Sequence, residues 1–134
     1  MKPLFAAVLA AGAVFLIVDG IWLSTMANLL YRPMIGHLIA DEFKLGPAIA
    51  FYLIYLAGLI YFGVRPGLAA RDWRAAALNG AALGFVAYAT YDLTSHAVMR
   101  DWPAALTVID IAWGTVLSAI AATAGFWAAR KTGG

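Results

Sequence analysis

The chain has 134 residues, of which 64% are hydrophobic and only 12% are charged. A soluble domain contains about 45–50% apolar and about 25% charged residues, so this composition predicts one domain that faces lipid. The absence of cysteine excludes disulfides, thiolate metal sites and cysteine nucleophiles. A net charge of +2 without a dense lysine and arginine cluster argues against a nucleic-acid-binding protein.

Four apolar stretches are long enough to cross a bilayer, whose hydrocarbon core takes about 20 residues. They comprise residues 3–26, 46–64, 75–99 and 104–129. Pro33, Pro66 and Pro103 lie between them, and because proline interrupts helices we expect breaks at all three. The sequence therefore predicts an all-α integral membrane four-helix bundle, with residues 1–134 forming a single transmembrane domain.

The basic residues predict an orientation for the four spans. The side that holds both termini carries six of them: Lys2, Arg65, Arg71, Arg74, Arg130 and Lys131. The opposite side carries three: Arg32, Lys44 and Arg100. Because cytoplasmic loops are enriched in lysine and arginine, we expect both termini to lie in the cytoplasm.

Three acidic residues lie inside the predicted spans, at matching distances from the outer ends. Asp19 and Asp92 each lie seven residues before the outer end of their span, and Asp110 lies six residues after the start of the fourth. At 1.5 Å per residue, all three carboxylates are predicted about 9–10 Å below the outer boundary. A lone acid at such a depth costs about 2–3 kcal/mol on insertion scales, so these side chains are expected to face the bundle interior.

Aromatic and polar side chains are predicted on the same faces and at the same depth. Trp22 and Trp113 each follow an acid by three residues, which is one helical turn. The tyrosines of the second span reach a similar level. We therefore predict a ligand-binding site formed by nine residues: Asp19, Trp22, Tyr52, Tyr55, Tyr88, Asp92, Ser95, Asp110 and Trp113.

No lysine or arginine lies in the middle of a span to neutralise these acids. Three neighbouring carboxylates cannot all remain ionised, because burial and like charges both oppose ionisation. Either one or two acids are protonated and hydrogen-bonded, or a bound cation lies among them. If the cation is a metal, the candidate ligands are Asp19, Asp92, Asp110 and His96.

Several functions are compatible with such a site. The first is a small membrane protein that binds or carries a cation, a protonated solute or an amphiphile, expected as a homodimer because four helices make a thin wall. The second is an enzyme acting on a lipid-like substrate, although no nucleophile or metal motif identifies catalytic residues. The third is an assembly subunit, and in a purely structural interpretation the acids only tie the helices together.

The pair Gly80 and Gly84, four residues apart in the third span, forms a small-xxx-small motif. Such motifs let helix backbones approach closely in membranes. We interpret the motif as a packing element of the bundle rather than as part of a binding site.

The segment "AYATYDLTSHAVMRDWPAALTVIDIAWGTVLSAIAA", with the earlier "VDGIWLSTMANLLYRPMIGHL", resembles a family of small bacterial membrane proteins catalogued as domain of unknown function 2177. The resemblance covers nearly the whole chain and implies four spans in the bacterial inner membrane, without an established activity. Asn commonly follows the threonine of "YDLT" in that family, where this chain has Ser95. The shared positions are Asp19, Trp22, Tyr91, Asp92, Thr94, Trp102, Pro103, Asp110, Trp113 and Gly114.

Overall fold

The computed structural model describes residues 2–39 and 44–133. Within these ranges the chain forms four long helices and no β-strand. The helices are α1 (Lys2–Leu38), α2 (Leu45–Ala70), α3 (Trp73–Val98) and α4 (Ala104–Lys131). The predicted all-α membrane bundle is confirmed.

Three of these helices, α1, α2 and α4, are long and apolar enough to cross a membrane. Helix α3 has 26 residues, which is sufficient length for a bilayer, but it is less apolar because it carries several polar side chains. Two of them, Asp92 and Ser95, are buried inside the bundle. Some of the polar side chains of α3 therefore face the inside of the bundle.

The expected helix breaks at Pro33 and Pro66 are wrong. In α1 a π-helical segment, Ala27–Tyr31, precedes the turn Arg32–Ile35, and in α2 the π-helical segment Ile60–Val64 precedes Arg65–Ala70. Each proline occupies the first turn after its π segment. The wider π turn accommodates the proline ring and its missing N–H, so the helix continues. The break at Pro103 is confirmed, because α4 begins directly after it.

Helix α4 is the central element, packing most extensively on α3 and next on α1. The contact with α3 is made through glycines. A Cβ added at Gly80 would lie 2.6 Å from the Ala122 Cβ, and one at Gly84 would lie 2.5 Å from the Ser118 Oγ. The interpretation of this glycine pair as a packing motif is confirmed.

Helix α2 packs against the bundle least closely at its N-terminal end. No residue from Leu45 to Ile54 is buried, whereas Tyr55, Leu59 and Val64 are. Before Tyr52, which contacts α1 through its hydroxyl, the N-terminal turns of α2 therefore lie beside the bundle without closing against it.

The end of the bundle opposite the chain termini has a separate apolar cluster. It consists of Leu30, Ile35, Trp102 and Leu106. Leu30 comes from the π segment of α1 and Ile35 from the turn after it, while Trp102 and Leu106 come from the residues before α4 and from its start. The continuation of α1 past Met26 therefore covers this end of the bundle and places Tyr31 against α4.

The glycine contact predicts a stability difference between two alanine substitutions. Gly84→Ala should lower the free energy of unfolding by about 1–3 kcal/mol, because the added methyl group meets backbone and Ser118 atoms with little room to move. The measurement is reversible unfolding in mixed micelles of increasing denaturing detergent. Gly20→Ala is the matched control, since nothing lies within 4 Å of its added Cβ; it should be neutral or stabilising by up to about 1 kcal/mol. Equal stability of the two variants would contradict the packing described.

Candidate ligand-binding site

The two Asp-x-x-Trp segments face each other across the contact between α1 and α4. Trp113 of α4 donates its indole N–H to Oδ1 of Asp19 on α1, at 3.1 Å. The rings of Trp22 and Trp113 stack with their centroids 4.2 Å apart and their planes within 8°. The two helices run in opposite directions, and the two tryptophans meet across the contact between them.

Tyr31 links Trp22 to Asp110. The indole N–H of Trp22 donates to the Tyr31 hydroxyl at 3.0 Å, and that hydroxyl donates to Oδ1 of Asp110 at 2.9 Å. We call Asp19, Trp22, Tyr31, Asp110 and Trp113 the Asp–Trp network. In this network Asp19 accepts a hydrogen bond from α4, and Asp110 accepts one from Tyr31 near the end of α1.

Asp92 differs from the other two acids. Its side chain on α3 is fully buried, and neither carboxylate oxygen has a hydrogen-bond partner among the described residues. It lies against the carboxyl group of Asp110, close enough for the two to share a hydrogen bond when one of them holds a proton. Asp110 therefore lies between Asp92 on one side and the Asp–Trp network on the other.

The two histidines are bonded elsewhere. His96 Nδ1 lies 3.2 Å from the Thr107 hydroxyl, which also accepts the Trp102 indole N–H at 3.0 Å. His37 Nε2 lies 3.1 Å from Oδ2 of Asp101, and both side chains are exposed. Across residues 2–39 and 44–133, no group of three histidine, aspartate or glutamate side chains is arranged to hold a metal ion. The four candidate metal ligands, Asp19, Asp92, Asp110 and His96, are thus not gathered into a metal site.

The tyrosines of α2 bond to the bundle rather than to the acids. The Tyr52 hydroxyl donates to the backbone carbonyl of Gly12 at 2.6 Å. The Tyr55 hydroxyl is hydrogen-bonded to Ser118 of α4. These contacts hold the middle of α2 against α1 and α4. Of the three predicted tyrosines, Tyr88 of α3 is the one that lines a cavity together with Asp110.

A cavity of about 330 Å³ lies between the first half of α2 and the facing sides of α3 and α4. Its lining consists of Phe51, Ala87, Tyr88, Tyr91 and Asp110. Phe51 and Tyr91 are 49% and 57% exposed, whereas Asp110 is only 6% exposed. The cavity is therefore open at its aromatic rim and has one buried carboxyl group in an otherwise apolar and aromatic lining.

Glycine shapes the floor of this cavity. The ring of Tyr88 packs so closely on Gly114 that any Cβ at that position would overlap the ring. A bulkier residue would displace the ring of Tyr88. The glycine that follows the second Asp-x-x-Trp segment thus allows Tyr88 to take the position in which it lines the cavity.

The structure brings only some of the predicted site residues to the cavity. Tyr88 and Asp110 line it, Asp92 lies against Asp110, and Asp19, Trp22 and Trp113 belong to the adjoining network. Tyr52, Tyr55 and Ser95 do not line it.

Sequence reasoning missed Tyr31, Phe51 and Ala87, and it noted Tyr91 only through the family resemblance. Tyr31 had the appearance of an interfacial aromatic residue, because its contact with Asp110 depends on the helix continuing past residue 26. No signal in the sequence identified Phe51 among the many aromatic residues of the second span.

Residues 4–127 match the model of a family described as "Predicted membrane protein (DUF2177)". This is the family that the sequence resembles. No curated protein and no solved structure gives a significant match to the chain.

The Asp–Trp network predicts a role for a single hydroxyl group. Tyr31→Phe removes the donor to Asp110 and the acceptor of Trp22, so it should lower the free energy of unfolding by about 1–3 kcal/mol. Tyr61→Phe is the control, because the Tyr61 side chain is 59% exposed; it should change stability by less than about 0.5 kcal/mol. Both values come from denaturing-detergent titrations, and a Tyr31→Phe protein as stable as the control would refute the network.

Proposed function

We propose that this chain, which belongs to the family described as "Predicted membrane protein (DUF2177)", binds and carries a small ligand in the cavity beside Asp110. The observation that supports the proposal is the cavity itself. A volume of about 330 Å³ falls within the range of small-molecule sites, which are mostly apolar with a few convergent polar groups.

The lining favours a ligand with a positive charge or a strong hydrogen-bond donor. Asp110 is the one carboxyl group among the described lining residues, and Tyr88 and Tyr91 add aromatic faces. No lysine or arginine in the described part of the chain forms an ion pair with Asp19, Asp92 or Asp110. A cation, a protonated solute or an amphiphile with such a head group would supply the missing partner.

We assign supporting roles to the remaining predicted site residues. Asp19, Trp22 and Trp113 hold α1 against α4, and through Tyr31 they fix one oxygen of Asp110. Tyr52 and Tyr55 anchor the middle of α2. These contacts set the shape of the cavity, while Tyr88, Tyr91 and Asp110 contact the ligand.

In the proposed arrangement all four helices cross the bacterial inner membrane and both termini lie in the cytoplasm. The bias of basic residues toward one side supports this orientation. The three acids then lie about 9–10 Å below the outer boundary. We expect a homodimer for a carrier, because four helices give the site only a thin wall toward lipid.

Octylammonium provides a direct test of the cavity as a binding site. The full chain in lipid nanodiscs should bind it saturably, at one site per chain, above the partitioning into empty nanodiscs. Asp110→Asn should weaken binding about tenfold or more, since it removes a buried charge partner worth about 1.5–3 kcal/mol. Ala87→Phe should weaken it to a similar extent by filling the cavity.

Asp72→Asn is the matched control for the acid substitution. Asp72 caps α3 by accepting the backbone N–H of Arg74 at 3.0 Å, a function that asparagine retains. This variant should bind octylammonium like the unaltered protein. Unchanged binding in both Asp110→Asn and Ala87→Phe would show that the cavity is not the site.

A further inference from the structure

We propose that the ligand is a lipophilic organic monocation that reaches the cavity from the bilayer and replaces one proton of the Asp92–Asp110 pair. This inference rests on the proposed ligand-binding function and names the class of ligand and the ion exchanged for it.

The state of Asp92 follows from its surroundings. The side chain is fully buried, has no hydrogen-bond donor among the described residues and lies against the carboxyl group of Asp110. An ionised carboxylate without a partner is very costly in such a place. Asp92 therefore holds a proton, which it donates to Asp110, because two adjoining carboxyl groups cannot both ionise.

Among residues 2–39 and 44–133, no lysine, arginine or histidine forms an ion pair with Asp110. Helix α1 contributes the hydroxyl of Tyr31 and the carboxyl group of Asp19 to the surroundings of Asp110. Helix α2 contributes the uncharged ring of Phe51 at the cavity rim. Helix α3 presents a further acid and two tyrosines. The titratable groups near Asp110 are Asp19, Tyr31, Tyr88, Tyr91 and Asp92, none of them cationic.

Charge neutrality then allows two states of the pair in a low-dielectric bundle. In the first, the pair holds two protons and the cavity holds no cation. In the second, the pair holds one proton and a monocation lies beside it in the cavity. One proton passes from the pair to water when one monocation binds, so the charge of the site is unchanged.

The lining selects a lipophilic cation over a hydrated one. Phe51, Tyr88 and Tyr91 present aromatic rings beside the carboxyl group, and aromatic faces attract organic cations while offering few ligands to a metal ion. The apolar lining suits a hydrocarbon body. A small inorganic cation would have to shed its water without replacement ligands.

The rim of the cavity points to access from the membrane. It lies along the first half of α2, where no residue from Leu45 to Ile54 is buried. Phe51 and Tyr91, on facing helices, are both about half exposed at this rim. In a bilayer these exposed side chains contact lipid, so a ligand dissolved in the membrane reaches Asp110 between α2 and α3.

The test compares benzyltrimethylammonium with neopentylbenzene, its uncharged carbon isostere, on the full chain in nanodiscs. The quaternary cation carries no ionisable proton, so any proton that appears comes from the protein. Calorimetry measures binding, and a pH indicator in weakly buffered solution near neutral pH measures proton release. We expect the cation to bind at least about tenfold more tightly than the isostere, with about one proton released per bound cation.

Three variants assign these effects to the site. Asp110→Asn should abolish proton release and reduce cation binding to the level of the isostere. Ala87→Phe should weaken both probes, whereas Asp72→Asn should alter neither affinity nor proton release. Circular dichroism of each variant establishes that it retains its helices, and Ala87→Phe keeps the test decisive if Asp110→Asn does not fold.

The outcomes separate the two proposals. Equal binding of both probes, weakened by Ala87→Phe, would retain the ligand site and overturn the class of ligand. Tight cation binding without proton release would overturn the exchange. If neither probe binds, or if Ala87→Phe changes nothing, the proposed function is itself wrong.

Discussion

The cost of placing carboxyl groups inside an apolar helix bundle constrains this protein more than any other interaction. The Asp–Trp network satisfies that constraint for two acids with three donors: the indole groups of Trp22 and Trp113 and the hydroxyl of Tyr31. The repeated Asp-x-x-Trp segment has a simple geometric basis. Two antiparallel helices that carry the same segment bring the two tryptophans together, so that Trp113 donates directly to Asp19 and Trp22 reaches Asp110 through the Tyr31 hydroxyl.

The network depends on features of the fold that lie away from it. Tyr31 reaches Asp110 because α1 continues past Met26 as a π segment that ends at Tyr31. Close contact of α3 with α4 depends on Gly80 and Gly84, and this contact brings Asp92 against Asp110. The third acid therefore lies where the donors of the network do not reach, and the Asp110 carboxyl group that it contacts lines a cavity beside the N-terminal part of α2.

The helical membrane architecture could be predicted from the sequence, because a bilayer requires spans that are apolar and about 20 residues long. Sequence reasoning also identified the three acids, the two tryptophans and Tyr88, since charged or polar groups inside apolar spans are conspicuous. It failed at Pro33 and Pro66, because proline usually interrupts a helix and the π segments that prevent this have no clear signature. It also could not find Phe51 or exclude Tyr52 and Tyr55 from the lining, because that depends on how far α2 leans from the bundle.

The sequence also could not predict that Asp92, unlike the other two acids, lacks a hydrogen-bond donor among the described residues. All three have similar predicted depths, and only packing separates an acid with an indole or hydroxyl donor from one with none. The proposed exchange of a proton for a cation follows from this asymmetry. A site in which all three acids had protein donors would have no need of either ion.

Infrared spectroscopy of the full chain in lipid bilayers tests the protonated carboxyl pair most directly. The ligand-free protein should show the C=O absorption of buried protonated carboxylic acid, which should diminish in Asp92→Asn and when benzyltrimethylammonium binds. Absence of this absorption from the unaltered protein would contradict the account. So would a band that Asp92→Asn leaves at full strength.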